Sequence, residues 1–195
     1  MTDTHDTDDT AGDANWSVPE TEVLTQARRL LESDRRGVLA TVIRVEGSAY
    51  RRPGAKMVIP EDGVGVGHIT AGCLEDEVQG LASDVLEAGE PRVEHYDLMP
   101  EADDDDVWGL GVGCNGRIDI LLEPLDETYR PAVDAFAEGY DVGVLTVTDG
   151  DHAGARAYYD PRGETFDLGE GFDADLAERV RGVAAELTAR GKPTP

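Results

Sequence analysis

The sequence is short of positive charge, of lysine within that charge, of cysteine and of long apolar runs, and each shortage closes a class of answer. Against 17 basic residues stand 42 acidic ones, a formal net charge of -25, and Lys56 and Lys192 are the only lysines. A surface of that sign repels phosphate backbones, so no nucleic acid is expected as a partner. The excess is too diffuse to be one acidic tail. It suits a halophilic cytoplasm, where concentrated salt shrinks the Debye length and relieves self-repulsion, although acidity also serves plain solubility. No window approaches the eighteen or so consecutive apolar residues of a membrane span, and the N-terminus lacks a basic region followed by an apolar run. A cytoplasmic protein with no membrane partner is the expectation. Two cysteines, Cys73 and Cys114, are too few for a disulfide scaffold and read as free thiols.

What is present suffices for one compact α/β domain: 195 residues, of which 39% are hydrophobic. Residues 1–18 are acidic and nearly devoid of apolar side chains, the composition of a disordered arm, which leaves 19–195 as the domain. Val23, Leu24, Ala27, Leu30 and Leu31 recur at helical spacing. Gly37–Val45 is β-branched and bounded by glycine, and reads as a buried strand; Lys56–Ile59 and Val64–Ile69 follow as two more, joined by Glu61-Asp62-Gly63. Leu74, Val78, Leu81, Ala82 and Val85 mark one helix, stopped by Gly89 and Pro91. After the solvated run 101–106 and a glycine-rich turn, Arg117–Leu122 is a strand that ends in Glu123-Pro124. A mixed β-sheet with flanking helices is the predicted fold class.

The last third resembles the first. Gly143-Val144-Leu145 matches Gly37-Val38-Leu39 at a shift of 106, GARAYYDPRG from Gly154 matches GAKMVIPEDG from Gly54 at 100, and the helix from Leu176 matches that from Leu74 at 102. This is a degenerate internal duplication with halves at about 22–91 and 128–193. The second half lacks the six-residue loop around Ser48 to Arg52, holds Asp175 where the first has Cys73, and carries no basic cluster. Residues held by one half only are not demanded by the shared scaffold, so the first half is the candidate site.

Its core is Gly47–Glu77. Arg44, Arg51, Arg52 and Lys56 stand against Glu46 alone in thirteen residues, a local charge of +3. Small residues Gly47, Ser48 and Gly54 would let backbone N–H groups approach an anion, with guanidinium forks beside them. A surface loop whose arginines pair with the abundant carboxylates explains the same residues. Cys73 stands at a helix start, where free N–H groups favour a thiolate, but Glu75, Asp76 and Glu77 oppose it; a small buried hydrophobe is the alternative. Gly111, Gly113 and Gly116 satisfy G-x-G-x-x-G formally, but an acidic loop precedes them and a strand follows, which excludes a dinucleotide site. They instead present Cys114 and Asn115. Spacings of five from His68 to Cys73 and 41 onward to Cys114 fit no zinc pattern, so no structural metal is expected. Ser48 has no nearby base to make it a nucleophile.

With Gly47-Ser48, Arg52-Pro53-Gly54 with Met57, Ala71-Gly72-Cys73-Leu74-Glu75 and Gly113-Cys114-Asn115-Gly116 running to Glu123-Pro124, the chain resembles the XdhC/CoxI family over about residues 22–125. These are accessory factors of xanthine dehydrogenase and related molybdenum hydroxylases. The resemblance implies a non-catalytic chaperone that binds the molybdenum cofactor, a molybdopterin, as cargo, protects it during sulfuration and hands it to the apo-molybdenum hydroxylase. A cysteine desulfurase is a second implied partner. On this reading Arg51 and Arg52 hold the phosphate, Gly47, Ser48 and Gly54 shape the pocket, and Gly72, Cys73 and Glu75 face the molybdenum, with Cys73 as its contact. Cys114 and Asn115 close the site. A homodimer is expected, because so small a lobe encloses a pterin poorly alone. Two departures stand out: Ala71 replaces the first glycine of the cysteine turn, and the sequence stops before the C-terminal Rossmann domain of many members. The enzyme alternative is a small cysteine-dependent oxidoreductase or sulfur-transfer protein that uses Cys73 and Cys114.

Overall fold

The computed structural model describes residues 20–33, 35–98, 115–162, 165–169 and 172–189. The expected acidic arm and the turn that carries Cys114 lie outside the described residues. Helix α1 (Glu20–Leu31) begins with Glu20 and Glu22 and ends with Arg28 and Arg29, which complements its dipole at both ends. It buries Val23, Ala27 and Leu30. Strand β1 (Gly37–Ser48) is the centre of a five-stranded antiparallel sheet with β2 (Lys56–Pro60), β3 (Val66–Gly67), β4 (Arg92–Asp97) and β5 (Asn115–Pro124), in the order β3-β2-β1-β5-β4.

Alternation along β1 decides which residues meet which helix. Val38, Ala40 and Val42 join Ile118, Ile120 and Leu122 of β5 beneath α2 (Glu75–Gly80) and α3 (Ala82–Ala88), which contribute Val78 and Val85. Leu39 faces the opposite side, among Val23, Ala27 and Leu30 of α1 and Val133 of α4 (Arg130–Glu138). Val38, Leu39, Val78 and Val133 are at most 1% exposed, and each such side chain contributes about 1.5–3 kcal/mol by leaving water. A second sheet, β6 (Gly143–Thr146), β7 (Arg156–Asp160) and β8 (Thr165–Leu168), packs on α5 (Ala174–Ala189) through Ala157, Leu176 and Val180. Asp173 Oδ1 caps that helix, accepting from Leu176 N at 2.7 Å.

The two halves share more than spacing. Both run helix, three antiparallel strands in sequential order, helix. In the first, Val42 N donates to Ala55 O at 2.9 Å and Gly54 N to Val42 O at 2.8 Å; in the second, Val147 N donates to Ala155 O at 2.9 Å and Gly154 N to Val147 O at 2.8 Å. Gly54 and Gly154 both hold a positive φ at this hairpin, 101° and 89°. Strand pairing corrects the sequence alignment by one residue. Leu39 pairs with Val58, and Val144 with Tyr158, so the first strand repeats at a shift of 105, not 106. A one-residue slip would send each side chain to the wrong face, which is why register and not the shared Gly-Val-Leu string settles the match. The segment absent from the second half is accordingly five residues long, the difference between the shifts of 105 and 100, and not six.

Other boundaries also moved. β3 covers two residues instead of six, because Gly67 adopts φ 104° and Gly65 N donates to the Gln79 side chain at 2.9 Å rather than to a strand. The single helix expected after Gly72 is broken between Gly80 and Ala82, where Leu81 N bonds to Val78 O at 3.2 Å in a tighter turn; Gly80 favours that break. Strand β4 and helix α4 were not foreseen.

Candidate functional site

β1 leaves β2 at Val42 and continues alone with β5. Val42 pairs with Ile120 but Arg44 with Asp119, so Ile43 is the extra residue of a β-bulge. The bulge reverses the alternation: Val45 and then Ala49 pack on the cluster that holds Val42. Arg44 and Glu46 line a polar cleft of about 400 Å³ with residues of β4 and β5. There the charges neutralise one another. Arg44 Nη2 bonds to Glu46, Arg117 Nε donates to Asp97 Oδ2 at 3.0 Å, and His95 Nδ1 lies 2.8 Å from Asp119 Oδ1. Asp97 raises the pKa of Arg117 above its ordinary value by hydrogen bonding and proximity.

Beyond the bulge, Gly47 pairs with Gly116 and Ser48 with Asn115, so the two segments that sequence reasoning joined do meet in the sheet. Gly47 adopts φ 84°, and a Cβ on Gly116 would stand 2.2 Å from Glu46 O. Gly47 is demanded by its positive φ and Gly116 by close backbone approach. Leu98 N donates to Gly116 O at 2.9 Å, and Leu98, Ala49, Ala55 and Leu74 all pack against one cluster, which seats the arginine loop and the cysteine turn on the same core.

The cluster of four cations divides in two. Arg44 is paired with Glu46, and Lys56 Nζ donates to Gly54 O at 2.8 Å; burial lowers the Lys56 pKa, with Glu20 and Glu123 pulling the other way. Arg51 and Arg52 form no ion pair among the described residues, whereas nine other arginines do. Arg29, Arg179 and Arg181 likewise form no ion pair among the described residues, and each is on a helix. Among the described residues, Arg51-Arg52 is the one place where two adjacent loop guanidiniums have no carboxylate partner. Arg52 is exposed and Arg51 partly so.

Cys73 is exposed, following Gly72 at φ 100°. The turn that presents it is organised by Glu75. Its carboxylate accepts from Thr70 N at 2.8 Å, Gly72 N at 2.9 Å, Leu74 N at 3.3 Å and the Thr70 hydroxyl, with His68 Nδ1 at 3.8 Å. Burial would raise the Glu75 pKa, but these hydrogen bonds from Thr70 and the turn backbone outweigh it and hold the carboxyl below its ordinary value. Sequence reasoning placed Glu75 toward a ligand; the structure turns it inward, toward the backbone on both sides of Cys73. Thr70, 3% exposed, was missed, and its only sequence signal is a hydroxyl just before a glycine-cysteine turn. Asn115 is located through its backbone, and Cys114 lies outside the described residues. Glu123 of the Glu-Pro motif is buried against Arg156 and serves the frame.

A two-half α/β frame that carries an uncommitted cationic loop and an exposed thiol is thus the class of protein defined here. Residues 30–97 match the model of the XdhC and CoxI family. It is 38% identical over 106 residues to a Bacillus subtilis protein named as a probable xanthine dehydrogenase subunit, covering 54% of this chain and 32% of that protein. It is 29% identical over 121 residues to the molybdenum cofactor insertion chaperone PaoD of Escherichia coli, covering 58% and 36%. The crystal structure of a xanthine dehydrogenase from Bacillus halodurans matches with a TM-score of 0.61 at 33% identity, over 81% of this chain and 47% of that one. The chain spans about a third of the length of the curated relatives it matches. No helix among the described residues is long and apolar enough to cross a membrane.

Proposed function

We propose that the chain binds the molybdenum cofactor as cargo and assists its delivery to an apo-molybdenum hydroxylase of the xanthine dehydrogenase type. The observation that carries this reading is the Arg51-Arg52 pair: in a chain with a net charge of -25, two adjacent guanidiniums form no ion pair among the described residues. Their forks match a phosphate bidentately, and at the neighbouring Gly54 nothing stands within 4 Å of an added Cβ. Cys73, exposed on a turn held by Glu75, supplies a soft sulfur donor of the kind molybdenum accepts. The name of the Escherichia coli relative supports insertion as the task.

On this reading the chain positions rather than transforms. Arg51 and Arg52 bind the phosphate, the Gly72–Leu74 backbone orients the thiol, and Asn115, whose backbone pairs with Ser48, closes the site together with Cys114, its neighbour in sequence. Protection of the cofactor during sulfuration, contact with a cysteine desulfurase and a homodimer that encloses the pterin belong to the same proposal. Reconstitution tests it. Cofactor loaded on the chain should restore activity to an apo-molybdenum hydroxylase faster than free cofactor does, and Cys73→Ala should remove the advantage. Equal rates with and without the chain would sink the proposal.

A further inference from the structure

Aromatic residues make up 6% of the sequence, so the use made of each tyrosine is informative. Tyr129 and Tyr158 are buried, with Arg156 over the Tyr129 ring and the Tyr158 hydroxyl donating to Thr128 O. Tyr96 packs against the main core, Tyr140 lies 3.5 Å beneath the Arg162 guanidinium, and Tyr159 meets the Phe166 ring at 5.0 Å. Tyr50 alone among the described tyrosines is exposed, at 59%, and its hydroxyl and ring have no partner among the described residues. Its neighbour Ala49 is tucked against the core instead. Burial energetics by itself favours the reverse, since a tyrosine ring removes far more apolar surface from water than a methyl group does. The ring also stands in the stretch between Val42 and Gly54 that is five residues longer than its counterpart, next to the two uncommitted arginines.

We infer that Tyr50 is the platform on which the flat heterocycle of a phosphate-bearing ligand stacks, with Arg51 and Arg52 on the phosphate. The inference rests on the proposed cofactor site and names a residue and a ring contact within it. An aromatic face accepts any flat, polarisable ring, as it does nucleic-acid bases, and adjacent cations fix the anionic end. Specificity for a pterin over a simple phosphate ester follows from this pairing.

The test uses the full chain with two probes, purified molybdopterin and inorganic phosphate, and the variants Tyr50→Ala, Tyr50→Phe and Arg52→Ala. Tyr50→Ala should weaken molybdopterin binding by about tenfold while leaving phosphate binding and the melting temperature as in the wild type. Tyr50→Phe should restore molybdopterin affinity, because the ring and not the hydroxyl makes the contact. Wild-type affinity in Tyr50→Ala, or failure of Tyr50→Phe to rescue, overturns the platform. If Arg52→Ala loses affinity while Tyr50→Ala does not, the cofactor site stands and the platform falls; if wild-type protein binds no molybdopterin, both fall.

Discussion

Arg156 Nη2 lies 2.5 Å from Glu123 Oε2, and both side chains are 4% exposed. The pair ties the last residues of β5 to the second sheet, and Arg156 Nη1 also donates to Thr128 Oγ1 at 2.6 Å. Burial raises the Glu123 pKa, with Arg156 and Lys56 opposing it.

Breaking this pair from one side strands a buried charge. Glu123→Ala is expected to cost about 3–5 kcal/mol, read by chemical denaturation. The double variant Glu123→Leu with Arg156→Met should recover most of that loss, since a buried ion pair is often no better than an apolar one of similar volume. A double variant as unstable as the single would show that the pair itself stabilises the join.

Gly116→Ala should destabilise the chain by about 1–3 kcal/mol, because the new Cβ would press on Glu46 O at 2.2 Å in backbone that cannot yield cheaply. Gly80→Ala, with nothing within 4 Å of the added methyl group, should be neutral or stabilising. Thermal melting of the two variants side by side checks the contrast.

Glu75 makes a pH prediction. Its folded pKa is held below the ordinary value, so its stabilisation is fully present above the ordinary glutamate range and is lost as pH falls through the folded pKa. The stability difference between wild type and Glu75→Gln should therefore shrink on acidification. A difference that stays constant from neutral pH to well below the carboxylate range would contradict the hydrogen-bond count at this turn.

The sequence made β1 and β2 legible through β-branched residues and glycine boundaries, and their hairpin through the match to the second half. β4 was hidden because an edge strand need not alternate: Arg92, His95 and Asp97 are exposed, and only Tyr96 reaches the core. α4 was hidden because nine residues burying Ala132, Val133 and Ala135 give a weak periodic signal, although Pro131 at its start and left-handed Gly139 at its end mark both boundaries. At the site, the charge pattern singled out Arg51 and Arg52 and the helix start singled out Cys73, while the pairing of Ser48 with Asn115 is visible only in the sheet register. Sequence alone could not separate the committed Arg44 and Lys56 from Arg51 and Arg52, which have no ion pair among the described residues, because Glu46 and the Gly54 carbonyl reach the first two only in the folded hairpin. Nor could it show Glu75 turned back on its own loop, which depends on the path of residues 70–74.

The most direct measurement is a molybdopterin titration at several salt concentrations of the wild type, the Arg51→Ala/Arg52→Ala variant and an Arg44→Ala/Glu46→Ala control. Each charge-assisted hydrogen bond contributes about 1.5–3 kcal/mol, so the loop variant should lose tenfold or more in affinity and much of its salt dependence. The control, which removes a cation already paired, should bind as the wild type does. Undiminished binding by the Arg51→Ala/Arg52→Ala variant would contradict the account.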